Sequence, residues 1–310
     1  MTDAPGGPAA GFPLPGTGRM AVAVPAPGPG EGRWVGAPSA ALDPAGGFVV
    51  AYRVRIVDQR GAATVVARSD DGERLTTVAI LDKGRFGAMS MERPALVRTP
   101  AGRWRLYVCC ATPNSKHWWI DVLEATEPEG LADAEAATVF AGDDRVGVKD
   151  PVIRVDDGRW QAWVCCHPLE EPGEEDRMTT AYATSEDGLD WTWRGTVLAG
   201  RPGTWDARGA RVTAVLGDGR ATYDGRATKE ENFRERTGLA RLTGPDGRLV
   251  PEGDGPAVDV RYLDVLPLPG GGYRLWYEAP LPDGSHELRT ELITELGGGG
   301  GRGWRAGGRG

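Results

Sequence analysis

The chain has 310 residues, a formal net charge of −8, and 47 glycines, 24 prolines and 11 tryptophans. An acidic chain lacks the basic surface that phosphate backbones require, which argues against nucleic acid as a partner. No stretch is long and apolar enough to span a bilayer as a helix, and short apolar runs separated by Asp-Gly turns read as antiparallel hairpins.

In chain order, residues 1–31 are rich in Pro, Gly and Ala and lack the basic start and apolar core of an export signal. They are expected to form a disordered leader, and the chain is expected to be cytoplasmic. From 32 to 296 a unit recurs at intervals of about 55 residues. Its openings are Ala37-Pro38-Ser39, Glu92-Arg93-Pro94, Lys149-Asp150-Pro151, Asp206-Ala207-Arg208 and Arg261-Tyr262-Leu263. Each leads through a glycine turn into an aromatic strand, as in Gly102-Arg103-Trp104 to Tyr107 and Gly158-Arg159-Trp160 to Trp163. Five units predict one all-β domain, a five-bladed β-propeller with four-stranded antiparallel blades. The innermost strands are expected to begin near Pro38, Pro94, Pro151, Ala210 and Leu263. The Ser-x-Asp-Gly turn at Ser185-Glu186-Asp187-Gly188, followed by Trp191, has a weaker relative at Ser69–Gly72. Both read as structural hairpins, with Trp191 packing between blades. Residues 297–310 are Gly/Arg low complexity and read as a disordered tail.

The four cysteines form two vicinal pairs, Cys109-Cys110 and Cys165-Cys166, at equivalent places in two blades. Neighbours on a strand point to opposite faces, and no Cys-x-x-Cys spacing is present. Free thiols are expected, with neither a metal site nor a cofactor.

In a propeller the start of each first strand and the loop after each second strand surround one mouth. The strand starts offer Glu92, Arg93, Lys149, Asp150, Asp206, Arg208 and Asp264. The loops offer Arg53 and Arg55, Lys116 and His117, His167 and Arg177, Asp224, Arg226 and Arg234, and Glu278 and His286. All three histidines fall in this set, whereas the opposite rim is built of ordinary turns. Charge near a propeller axis is costly unless it is paired or used, so the mouth is the candidate site.

These residues resemble the five-bladed glycosidase propellers, glycoside hydrolase families 32, 43, 62, 68, 117 and 130. Lys149-Asp150-Pro151 followed by Gly158-Arg159-Trp160 looks like the Arg-Asp-Pro or Glu-Asp-Pro blade of these families. Trp205-Asp206-Ala207-Arg208 looks like the Trp-Glu-Cys-Pro stretch of family 32. Ala37-Pro38-Ser39 with Tyr52-Arg53 is similar to the opening of family 130-like propellers. The chain departs from the pattern at Ala37, where families 32 and 43 carry an aspartate, and at Asp206, where a glutamate is usual.

The resemblance implies an enzyme that cleaves a glycosidic bond in a small glycoside or oligosaccharide, by hydrolysis or, with phosphate as acceptor, by phosphorolysis. It implies Asp150 as stabiliser of the transition state or tuner of the acid, and Asp206 as the acid. Glu92 is a third candidate for catalysis, and the mouth residues Arg53, Arg93, His117, His167, Arg208, Asp224, Glu278 and His286 are candidates to bind substrate. The partner is then a small carbohydrate or related polar metabolite. Three other readings stay open: a sugar-binding propeller without catalysis, an enzyme repurposed to a non-sugar metabolite, and a protein-interaction scaffold.

Overall fold

A computed structural model describes residues 11–294. The first strand, β1 (Arg19–Val24), belongs to the last blade. Blade I is β2 (Trp34–Leu42), β3 (Phe48–Ile56), β4 (Arg60–Ser69) and β5 (Thr76–Asp82). Blade II is β6 (Ala95–Arg98), β7 (Trp104–Ala111), β8 (Trp118–Ala125) and β9 (Ala136–Phe140). Blade III is β10 (Val146–Asp156), β11 (Arg159–Pro168), β12 (Thr179–Ser185) and β13 (Thr192–Leu198). Blade IV is β14 (Gly209–Val215), β15 (Arg220–Arg226), β16 (Arg236–Thr243) and β17 (Arg248–Glu252). Blade V is β18 (Arg261–Pro267), β19 (Tyr273–Pro280) and β20 (His286–Ile293), with β1 antiparallel to β20 as its fourth strand. Each blade is an antiparallel meander. The innermost strands β2, β6, β10, β14 and β18 touch in sequence, and β18 returns to β2, closing the ring.

Residues 19–24 correct the expectation of an unstructured leader. Among the described residues, the chain from 261 onward supplies three strands, and the open edge of β20 is covered by the Met20-Ala21-Val22 run, with Ala23 and Val24 packed toward Leu288. The surrounding Pro and Gly residues masked this short apolar segment in the sequence. Phe12 and Leu14 also pack against the core near Val265. Residues 1–10 of the leader and the tail from 297 lie outside the described residues.

Strand periodicity explains the packing. Along β7, Trp104, Leu106, Val108 and Cys110 face blade I, against Val49, Ala51 and Leu81. Tyr107, Cys109 and Ala111 face blade III, against Trp160, Ala162 and Val164. A strand between two blades is buried on both faces, which is why β7 is apolar throughout apart from Arg105 rather than alternating. Cys109 and Cys110 therefore part to opposite sides, and all four cysteines are free. Burial pushes these thiols up, away from the reactive thiolate form.

The two Ser-Asp-Gly hairpins form as read. Ser185 Oγ accepts from Gly188 N, Asp187 Oδ1 accepts from Leu189 N and Asp190 N, and Gly188 takes φ +75°. Trp191 lies against Phe140 and Tyr107 of blade II. No helix among the described residues is long and apolar enough to cross a membrane.

Candidate functional site

A bulge in the innermost strands builds the site. The register breaks between Gly36 and Ser39 in β2, between Lys149 and Val152 in β10, and between Arg261 and Asp264 in β18. At each break one non-glycine residue has left-handed backbone: Ala37 at φ +51°, Asp150 at +50° and Tyr262 at +51°. Such geometry costs roughly 1 kcal/mol for Ala or Tyr and less for Asp. Its recurrence in three blades marks a device that re-aims a side chain. Asp150 and Tyr262 use it, and at Ala37 there is only a methyl group to aim.

Around these positions runs a belt of buried arginines and carboxylates. Arg211 bonds Asp150 at 3.0 Å, Asp224 at 2.7 Å and the Tyr262 hydroxyl at 2.8 Å, with its guanidinium 3.8 Å from the Tyr262 ring centre. Arg53 joins Glu92 and Glu278, each at 2.6 Å. Arg261 joins Glu278 at 3.0 Å and Glu235 at 2.8 Å, and Arg226 also pairs with Glu235. The Tyr262 hydroxyl lies 3.5 Å from both Glu92 and Asp150.

Above the belt is a cavity of about 470 Å³, within the size range of small-molecule sites. Its wall carries eight cations (Arg55, Arg60, Lys116, Lys149, Arg211, Arg226, Lys229 and Arg261) and four carboxylates (Glu92, Glu175, Asp176 and Glu235). A chain with net charge −8 thus lines its axial cavity with a cationic excess. The excess shows in the ionisations. Burial, with Arg53, Arg60 and Arg261 nearby, outweighs the Glu92 charge and lowers the Arg55 guanidinium from its ordinary value. Burial would raise Glu92, yet Arg53, Lys149, Arg55 and Arg261 prevail and hold it well below the usual carboxylate range. His167 is pushed down to about 3 by burial and by Lys149. Its Nδ1 meets the Glu175 carbonyl at 2.5 Å, so Nδ1 carries the proton. The other ring nitrogen is a buried acceptor without a partner among the described residues.

The candidates from sequence divide into three groups. Glu92 and His167 line the axial cavity. Arg53, Asp150, Asp224 and Glu278 lie in the belt beneath it, fully or almost fully buried. The remaining candidates point elsewhere. Asp206 is fully buried and is held by Arg201 at 3.0 Å, the Tyr223 hydroxyl at 2.7 Å and Thr204; its own loop folds it away from the cavity. Arg208 is tied to Asp176 and Glu174. Arg93 reaches the Pro38 carbonyl and Asp264, because β6 starts after Pro94 and the side chain turns toward blade I. His117 bonds Thr112 in a shallow rim pocket, and His286 bonds Glu278 in a second pocket.

Tyr262, Arg211 and Glu235 were not legible as site residues. Tyr262 had a signal, since it stands before Leu263 as Asp150 stands before Pro151. Arg211 is a lone cation inside the apolar run of β14.

The belt sets the acid stability. Burial would raise Glu278 and Glu235, but their arginines prevail and hold both at about 2. The unfolded chain therefore binds more protons between about pH 4.5 and 2, and stability rises with pH in that window. Burial raises Asp264 to about 6, against Arg93, so its contribution falls as pH rises toward 6. Lowered His167 contributes in the opposite sense between about pH 3 and 6.5 and offsets it. The expected melting temperature is nearly level from pH 7 to 5 and falls steeply below about pH 4.5. Thermal melts at fixed ionic strength check this, and a melting temperature that rises below that point would contradict the ion-pair belt.

No protein-family model and no curated protein sequence matches the chain. Solved structures do. The β-1,2-mannobiose phosphorylase of Listeria innocua superposes with a TM-score of 0.59 at 14% identity, covering 92% of this chain and 93% of that one. A glycosyl hydrolase from Bacteroides ovatus gives 0.59 at 13% identity, over 93% and 99%. The chain has the fold of the propeller glycosidases. A family 32 β-fructofuranosidase of Bombyx mori gives 0.60 at 12% identity, with 88% of this chain covering 62% of that larger one.

Proposed function

We propose that the axial cavity binds a small glycoside or oligosaccharide and that the protein cleaves its glycosidic bond with inorganic phosphate as acceptor. The observation that carries this reading is the cationic excess of the cavity wall in an acidic chain. Two features support it. Ala37 leaves the first blade without a carboxylate to act as nucleophile or base, a role that a bound phosphate oxygen fills. Glu92, held ionised, serves as a fixed negative charge facing the positive charge that develops on the sugar ring.

The step balances with hydrogenphosphate. A phosphate oxygen forms a bond to the anomeric carbon as the bond to the leaving sugar oxygen breaks. The hydrogenphosphate proton passes to that oxygen, giving a glycosyl phosphate dianion and a free sugar. His167 Nε2 accepts a hydrogen bond from a ligand hydroxyl. The protein is read as cytoplasmic, in keeping with four free cysteines.

A second reading, a sugar-binding propeller without turnover, is favoured by one fact. Glu92 and Glu235 are both ionised, so neither supplies a protonated acid at the cavity.

Turnover of a disaccharide panel that includes β-1,2-mannobiose, with and without phosphate, separates these outcomes. Sugar phosphate formed at least about tenfold faster than reducing sugar without phosphate is expected. Equal rates would make the protein a hydrolase. Calorimetric binding without turnover would establish the second reading.

A further inference from the structure

The axial cavity adjoins a second pocket, and the residues common to both linings mark the boundary between them. That pocket, of about 310 Å³, opens at the mouth where blades IV, V and I meet. It shares Asn232, Phe233, Glu235 and Arg261 with the axial cavity. Phe233 lies on the β15–β16 connection. Its ring centre is 5.1 Å from that of Trp34 and 5.3 Å from the Arg55 guanidinium, which in turn lies 4.8 Å over Trp34. The loop turns just before it, with Asn232 N donating to Lys229 O and Arg234 N to Glu231 O. Phe233 itself takes φ +72°, the left-handed region that a bulky aromatic adopts only under constraint. Its packing on Trp34 and Arg55 accounts for that constraint, and the residue borders both spaces.

The second pocket has the features of a sugar subsite. Pro280, Leu281 and Pro282 give it an apolar side, and Asp259 and His286 give it polar groups. Glu278 accepts from His286 Nδ1 at 2.6 Å, which fixes the ring's orientation at the pocket wall.

We propose that Phe233 is a specificity-determining residue. It confines the ligand to the length the axial cavity holds and closes off a latent subsite for a further sugar residue. This rests on the glycoside reading of the axial cavity, and its test is built to fail separately from that reading.

A crystal structure of Phe233→Gly needs no sugar. The glycine relieves the left-handed backbone, so folding is preserved, and one continuous cleft is expected. Two pockets still separate would overturn the proposal. The second arm measures binding by calorimetry, with β-1,2-linked mannooligosaccharides of two to four sugars as the probe. Phe233→Gly should raise the affinity for the tetramer relative to the dimer about tenfold, and Phe233→Tyr should restore the wild-type ratio. An unchanged ratio in a glycine variant that still binds the dimer would overturn the proposal. If neither wild type nor variant binds any sugar, the glycoside reading fails, and the crystal structure alone decides whether Phe233 is the partition.

Discussion

Asp150→Asn is expected to cost about 3 kcal/mol of folding stability, the lower end for breaking a buried ion pair. The Asp150 carboxylate is fully buried. It accepts the backbone N–H of Arg93 at 3.0 Å and Arg211 at 3.0 Å, with Lys149 at 3.5 Å, so it ties blades II, III and IV together. Asparagine fits the left-handed backbone at this bulge as readily as aspartate, so the substitution isolates the charge. It leaves one acceptor where there were two and turns an amide N–H₂ toward cationic donors. The cost stays at the low end because Arg211 keeps Asp224. Asp150→Ala removes the remaining acceptor and adds left-handed strain of roughly 1 kcal/mol. Urea unfolding measures both, and activity per folded molecule should largely survive the asparagine change. Unchanged stability with lost turnover would place Asp150 against the substrate, as the Lys149-Asp150-Pro151 resemblance implies.

The blade pattern was legible because it is local. Glycine turns, paired apolar strands and the roughly 55-residue interval are each set within one unit, so the five openings fall where the innermost strands run. The fourth strand of blade V was not legible, because it comes from the far end of the chain and its apolar run is short. The site was legible as a region but not as a set of atoms. A mouth residue can point into the cavity, into the belt or back into its own loop, and its partners decide which. Glu92 reaches the cavity from the end of an ordinary extended segment. Asp206, in a similar opening, is captured by Arg201 and Tyr223. Arg208, a candidate to bind substrate, has its guanidinium filled by Glu174 and Asp176 from the β11–β12 connection. Ion pairs between blades join residues far apart in sequence, and short motifs carry no record of them.

Glu92→Gln is expected to lower turnover about 100-fold while changing KM little, the cost of removing one preorganised charge that acts mainly in the transition state. Glu92 is the carboxylate that belongs to both the belt and the cavity on the blade II side. Arg53 lies 2.6 Å from it and Arg55 3.5 Å, and the Tyr262 hydroxyl 3.5 Å. These neighbours fix its position and keep it ionised, so it cannot donate a proton at neutral pH. Its contribution is then electrostatic, strongest when the sugar ring becomes cationic. Two readouts separate this from a structural role. The melting temperature should fall by about as much as in Asp150→Asn, since Arg53 keeps Glu278 and the glutamine amide keeps one acceptor oxygen, so the loss of turnover is read per folded molecule. The pH profile of wild-type turnover should show no acidic limb in the ordinary carboxylate range from Glu92, because its folded value lies well below that range. A variant that retains full turnover would remove Glu92 from the reaction. An acidic limb near pH 4 to 5 that disappears in Glu92→Gln would mean that the group titrates where it works, against the field of Arg53, Lys149 and Arg55.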